Sequence, residues 1–179
     1  MQLIVCGLGG AGSRIADSLV STDRRNSRSC LVSNVVLDTD QQSLADLYVI
    51  PKEHRHLYGV HSASGRGFNG HRNRAREAAD EELTELFRAV DDQLTSQADG
   101  VLLCAGLGGA TGATLLPKLA DKLRTVYELP IYGLCVLPGT ESDEDIDQTR
   151  RESNAGVAVD AVSAATDSLL LFDNALWTK

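Results

Sequence analysis

The stretch Cys104–Thr114, C-A-G-L-G-G-A-T-G-A-T, restricts what this chain can fold into more than any other. An apolar run, Val101–Ala105, leads into it, and Gly106, Gly108, Gly109 and Gly112 crowd around Thr111. Downstream, Leu115, Leu116, Leu119, Leu123 and Val126 recur at helical spacing, so the loop leaves a buried strand and enters a helix N-terminus. Bare glycines let backbone N–H groups approach an anion, and the helix end adds positive potential. The Thr111 hydroxyl could donate to a phosphate oxygen. The alternative is a plain flexible loop. The position favours a ligand site, because open α/β sheets bind ligands where strands give way to such loops.

A second glycine loop stands at the N-terminus. Leu3–Cys6 is a short apolar strand, and Gly7-Leu8-Gly9-Gly10-Ala11-Gly12 runs into a helical pattern through Ile15, Leu19 and Val20. This is G-x-G-x-x-G between a strand and a helix, a phosphate-binding fingerprint that leaves the base unspecified. A tight strand–helix turn with no ligand would have the same sequence. Leu31–Leu37 forms the next strand and ends in Asp38-Thr39-Asp40. Carboxylates there could bond a ribose or hold a magnesium-bound water, and Asp40 could equally serve as a helix N-cap. A third glycine-rich loop is Ser62–His71, S-A-S-G-R-G-F-N-G-H, followed by a long amphipathic helix marked by Ala75, Ala79, Leu83, Leu86, Phe87, Val90 and Leu94. Ile131–Leu137 is a further strand ending at Pro138-Gly139. Glu141–Asp147 is acidic, Gln148–Ala165 reads as helix, and Leu169–Phe172 is a last strand closed by Asp173-Asn174. The repeated strand–helix order predicts an α/β fold with a mostly parallel sheet.

Composition narrows the function classes. A chain of 179 residues suits one domain. A net charge of −8 disfavours bulk attraction to nucleic acid or an anionic membrane, and no apolar run approaches membrane-spanning length. Cys6, Cys30, Cys104 and Cys135 form no C-x-x-C pair and read as reduced, buried small hydrophobes of a cytoplasmic protein. His54, His56 and His61 cluster near a proline and a tyrosine. Their spacing matches no common metal site, so they are expected to be exposed loop residues.

Two glycine loops, each after a strand, imply a phosphate chain gripped from two sides. With the other motifs they resemble the tubulin/FtsZ GTPases. The hallmark G-G-G-T-G-[ST]-G stands here as Gly108-Gly109-Ala110-Thr111-Gly112-Ala113-Thr114, with Ala110 and Thr114 replacing glycines and Ala113 the Ser/Thr. The first loop resembles G-x-G-G-x-G, Asp38-Thr39-Asp40 resembles N-T-D, and Gly65–Gly70 resembles the G-A-G-A-N-P that meets the γ-phosphate. Pro138 and Arg150/Arg151 resemble the K-P-F…R-R segment near the ribose, with an insertion between them. The ending Leu169–Trp177 is most similar to the archaeal CetZ group. Arg14 departs from the pattern, since FtsZ proteins carry a guanine-contacting Asn there.

The resemblance implies a Rossmann-like, mostly parallel sheet with helices on both faces. It implies a single GTP-binding domain over residues 1–179, without the family's central helix and C-terminal domain. GTP or GDP with Mg²⁺ would lie across the carboxyl ends of the strands. The implied site residues are Gly9, Gly10, Ala11, Gly12 and Arg14 of the first loop and Asp38 and Asp40 of the second, the latter pair also ordering Mg²⁺. Gly67, Asn69 and Gly70 come from the third loop, and Gly106, Gly108, Gly109, Ala110, Thr111 and Gly112 from the fourth. Pro138 and Arg151 would lie near the ribose, Asp147 or Glu144 would meet it, and Asn174 would also contact the nucleotide. No catalytic residue is expected in the chain itself, because the family completes its active site with an acidic loop of the neighbouring subunit. The implied setting is a cytoplasmic cytoskeletal protein whose partner is another copy or a related filament-forming subunit, with no nucleic acid and no membrane insertion. The competing readings are an NAD-type oxidoreductase domain and a scaffold of the same fold that has lost nucleotide hydrolysis.

Overall fold

The computed structural model describes residues 1–26, 29–139 and 146–176, without the side chains of 146 and 147. The apolar runs become parallel strands: β1 (Leu3–Leu8), β2 (Leu31–Asp38), β3 (Arg55–Leu57), β4 (Gly100–Gly106), β5 (Ile131–Leu137) and β6 (Ser168–Asp173). They form one six-stranded sheet in the order β3-β2-β1-β4-β5-β6, with every neighbouring pair parallel. The helices are α1 (Gly9–Asp23), α2 (Gln41–Ala45), α3 (Val60–Ala63), α4 (Arg72–Asp91), α5 (Thr111–Arg124) and α6 (Ile146–Ala165).

Both faces of the sheet are covered, which is how an all-parallel sheet is stabilised. On β1, Ile4, Cys6 and Leu8 enter a core with residues of α4, α5 and α6. Val5 points the other way, into a smaller core with Ala16 and Val20 of α1 and Leu44 of α2. This period-2 division follows from the pleat. Each buried leucine or isoleucine contributes roughly 1.5–3 kcal/mol. The strand order reverses between β1 and β4, so the carboxyl ends of these two strands form the switch point at which such sheets bind ligands.

The segment that carries His54, His56 and His61 departs from the exposed loop expected for these histidines. It contains β3 and the start of α3. His56 lies half-buried in β3, and His54 is half-buried with its Nδ1 3.2 Å from Asn34 Oδ1, so of these three histidines only His61 is exposed. The correction has a tertiary cause: β3 exists by pairing with Val36–Asp38. The turn before β3 is held from two sides. The Asp17 carboxylate accepts the N–H groups of Tyr48, Val49 and Ile50 at 2.8–3.2 Å. The Arg55 guanidinium donates to the carbonyls of Leu44, Leu47 and Ile50. Cys30 is exposed, against the expectation for the thiols, because it precedes β2. Cys6, Cys104 and Cys135 are buried, and burial pushes the Cys6 thiol up to about 12. No described helix is long and apolar enough to cross a membrane.

Candidate functional site

The two glycine loops interlock at the switch point. A Cβ on Gly12, at the start of α1, would overlap the carbonyl oxygen of Cys104 in β4. Reciprocally, a Cβ on Gly112, at the start of α5, would overlap the carbonyl oxygen of Leu8 in β1. Each helix therefore starts packed, backbone on backbone, against the strand that feeds the other. Only glycine allows that approach.

Both helices also begin without help from their own sequence. Neither α1 nor α5 has a side-chain cap or an acidic residue in its first turn. Helix N-termini leave N–H groups without intrahelical partners, and here two such ends open on one cavity. By contrast, the short α2 is capped, with the Asp40 carboxylate accepting from Gln42 N at 2.9 Å and Ser43 N at 3.4 Å.

The cavity has two adjoining parts. The inner one, about 220 Å³, is lined by Gly9, Gly10, Ala11, Asp38, Asp40, Gly67, Asn69, Gly70, Gly106, Gly109, Ala110, Thr111 and Gly112 among others. The outer one, about 580 Å³, adds Arg14, Gly108, Pro138, Arg150, Arg151 and Asn174. The outer part alone has the volume of a small-molecule site, roughly 300–1,000 Å³. Gly12 lines neither part, since it is buried beneath Cys104. Glu144 and the Asp147 side chain lie outside the described residues. The lining also includes residues that the sequence reading did not single out for the site, such as Ser43, Arg66 and Phe68. Arg66 and Phe68 lie inside the Gly65–Gly70 motif, and Ser43 lies three residues after Asp40, so the motifs themselves were the available signal.

Asp38 is the unusual side chain. It is 2% exposed, and its Oδ1 accepts the backbone N–H of Thr39 at 2.7 Å and of Asp40 at 3.3 Å. Its Oδ2 is buried with no hydrogen-bond partner. Burial pushes its carboxyl up to about 6, against the lowering effect of those two backbone bonds. Thr39 ties the loops together. Its hydroxyl lies 2.8 Å from that of Thr111, and its carbonyl accepts the N–H of Gly67 at 3.0 Å. If Thr39 donates in that hydroxyl pair, the Thr111 proton stays available to the cavity. Among the described residues no group of three or more His, Cys, Asp or Glu side chains gathers as a metal cluster; Asp38 and Asp40 are the carboxylates in the inner lining that could hold a cation.

A family description, "Tubulin/FtsZ family, GTPase domain", matches residues 2–179. The chain belongs to the tubulin/FtsZ family. CetZ5 of Haloferax volcanii is 35% identical over all of this chain and 44% of its own length. CetZ1 of the same organism is 34% identical over the same shares. The GDP-bound monomer of H. volcanii CetZ1 superposes with a TM-score of 0.92 at 32% identity, covering 100% of this chain and 53% of that one. The GTPγS-bound protofilament of H. volcanii CetZ2 gives 0.89 at 30% identity, over 100% and 51%. The chain thus spans about half the length of these relatives. Its six-stranded parallel sheet is the tubulin/FtsZ GTPase-domain fold, somewhat more regular than the mostly parallel sheet expected.

Proposed function

We propose that the chain is the guanine-nucleotide-binding domain of a CetZ-like cytoskeletal GTPase of the cytoplasm. The observation that carries this reading is the pair of uncapped helix N-termini, α1 and α5, interlocked through Gly12 and Gly112 and opening on one cavity. Two positive helix ends and the exposed amides of two glycine loops suit a chain of phosphates. The phosphates would lie in the inner part, with Gly67–Gly70 facing the terminal one. The ribose and base would lie in the outer part beside Arg14, Pro138, Arg151 and Asn174. The buried, unpartnered Asp38 Oδ2 and the second oxygen of Asp40 fit the hard-oxygen preference of Mg²⁺ or its bound water. The ion would neutralise phosphate charge there. GDP and GTPγS are the ligands named in the CetZ1 and CetZ2 structures.

The chain's own residues bind and orient more than they activate water. The carboxylates that line the inner part are Asp38 and Asp40. Both are assigned above to Mg²⁺ or its bound water, so neither is read as a general base toward a water in line with a terminal phosphate. We infer that an acid from a neighbouring subunit completes hydrolysis, consistent with the protofilament named for CetZ2. The oxidoreductase alternative needs a catalytic His or Lys, and the described lining of the cavity contains neither.

Calorimetric titration with GTP, GDP, ATP and NAD tests the ligand. Tighter binding of the guanine nucleotides than of NAD is expected, and the reverse order would overturn the reading. Phosphate release from GTP by residues 1–179 alone should stay near the uncatalysed rate at every protein concentration, because the completing acid is placed, in this proposal, in a segment of the neighbour outside these residues. A rate that climbs with concentration would show that two such chains build a complete site, contrary to the proposed division of labour.

A further inference from the structure

Asn154 lies in α6, outside every motif of the sequence, yet it holds two walls of the cavity together. It is 6% exposed. Its Nδ2 donates to the carbonyl oxygen of Gly70 at 3.1 Å and to that of Gly108 at 3.1 Å. A primary amide has two N–H donors, and both are used here, one on the third loop and one on the fourth. Because both partners are carbonyl oxygens, the nitrogen of the amide must be the atom facing them. The backbone carbonyl of Asn154 accepts from Arg72 Nη1, at the start of α4, at 2.9 Å. One turn earlier on α6, Arg150 Nη1 donates to the Asn69 carbonyl at 3.1 Å. Gly70 and Asn69 line both parts of the cavity, and Gly108 lines the outer part.

We propose that Asn154 is a positioning residue that sets the gap between the third loop and the fourth, and through it the site's grip on a terminal phosphate. This rests on the guanine-nucleotide reading above. The fourth loop is fixed independently by its interlock with the first. The third loop reaches the cavity wall through bonds to Thr39, Arg150 and Asn154. Removing the amide therefore loosens the Gly70 end of the third loop, which Thr39, Gln41 and Arg150 still hold elsewhere, while leaving the cradle for the inner phosphates in place. A buried asparagine that merely satisfied the interior would affect stability without distinguishing one nucleotide from another.

The test compares Kd for GTPγS and for GDP in the wild type, Asn154→Ala and Asn154→Ser, alongside their thermal midpoints. Asn154→Ala is expected to weaken GTPγS about tenfold while GDP changes about threefold or less. Asn154→Ser, which keeps one donor on a shorter arm, should fall between, and it decides the question by the same ratio if the alanine variant does not fold. Equal loss for the two nucleotides, or a drop in midpoint with both affinities unchanged, would overturn the positioning role alone. Wild-type protein that binds neither nucleotide would overturn the nucleotide reading and this role with it.

Discussion

The first and fourth loops and the third loop line the same cavity but are built on opposite principles. The first and fourth are closed by contact: Gly12 sits on the Cys104 carbonyl, Gly112 on the Leu8 carbonyl, and a Cβ on Gly106 would come within 2.7 Å of Ala11 Cβ. Nothing larger than hydrogen fits, so their geometry is enforced by volume exclusion. The third loop is closed by conformation. Ser64, Gly65, Gly67, Asn69 and Gly70 all take positive φ, and the loop is held to its neighbours by hydrogen bonds through Gly65, Gly67, Asn69 and Gly70. A Cβ on Gly67 would meet nothing nearer than Asp40 Cβ at 3.6 Å. One wall of the site is therefore invariant, while the other is a backbone conformation that neighbouring residues select.

The sharpest way to break this comparison is Gly12→Ala. The added methyl would overlap backbone that cannot swing aside, so a stability loss of about 3 kcal/mol or more is expected in urea unfolding. A loss below about 1 kcal/mol would mean that the interlock is soft. Gly109→Val probes the same loop where it faces open space, since a Cβ there meets only the Gly106 carbonyl at 3.8 Å. The variant should fold normally and lose guanine nucleotide affinity about 100-fold or more by calorimetry, because its side chain occupies the cradle. Undiminished affinity in the folded variant would place the phosphates elsewhere.

Asp38→Asn tests the floor of the cavity. Burial raises the folded-state value of this carboxyl to about 6, above the unfolded value of about 3.9. Its contribution to stability is therefore complete below the unfolded value and is lost as pH rises through the folded one. In chelator and without nucleotide, wild type and Asp38→Asn should be nearly equally stable at about pH 4. Well above pH 6 the variant should be more stable, by an amount on the order of 3 kcal/mol. A constant difference across that range would show that the carboxyl is not buried as described. The smallest effect is expected for Gly67→Ala. The side chain has room but the backbone is left-handed, so thermal unfolding should register about 1 kcal/mol. A cost equal to that of Gly12→Ala would erase the distinction between the loops.

The parts of the fold that read clearly from the sequence carry their signal locally. The apolar run into Gly106 and the leucine repeat from Leu115 mark β4 and α5 without outside help, and the strand–glycine–helix order put both glycine loops at the carboxyl ends of β1 and β4. What escaped is made by partners distant in sequence. The segment Arg55-His56-Leu57 is too short and polar to announce a strand; it becomes one beside Val36–Asp38. Gly12 reads as a residue for approaching a ligand, but it lies against another strand's backbone and outside the cavity lining. An isolated asparagine within a helix has no local pattern, so Asn154 became visible only when Gly70 and Gly108 were brought to it. Asp38 could be placed at the sheet edge from its position after an apolar run. Which of its oxygens would be satisfied depended on the turn through Thr39 and Asp40.

The placement of β1 has a consequence for how the molecule comes into being. Leu3 pairs with Leu31 on one side but with Gly100 on the other. As the chain leaves the ribosome, β1, α1 and β2 can associate early, while the second edge of β1 must wait for β4. Until then a central strand has an exposed flank, the circumstance in which wrong pairings and aggregation compete with folding. Closure of the Gly12 and Gly112 contacts therefore belongs to a late, long-range event. The cradle cannot mature piecemeal; it is assembled when the two halves of the sheet meet.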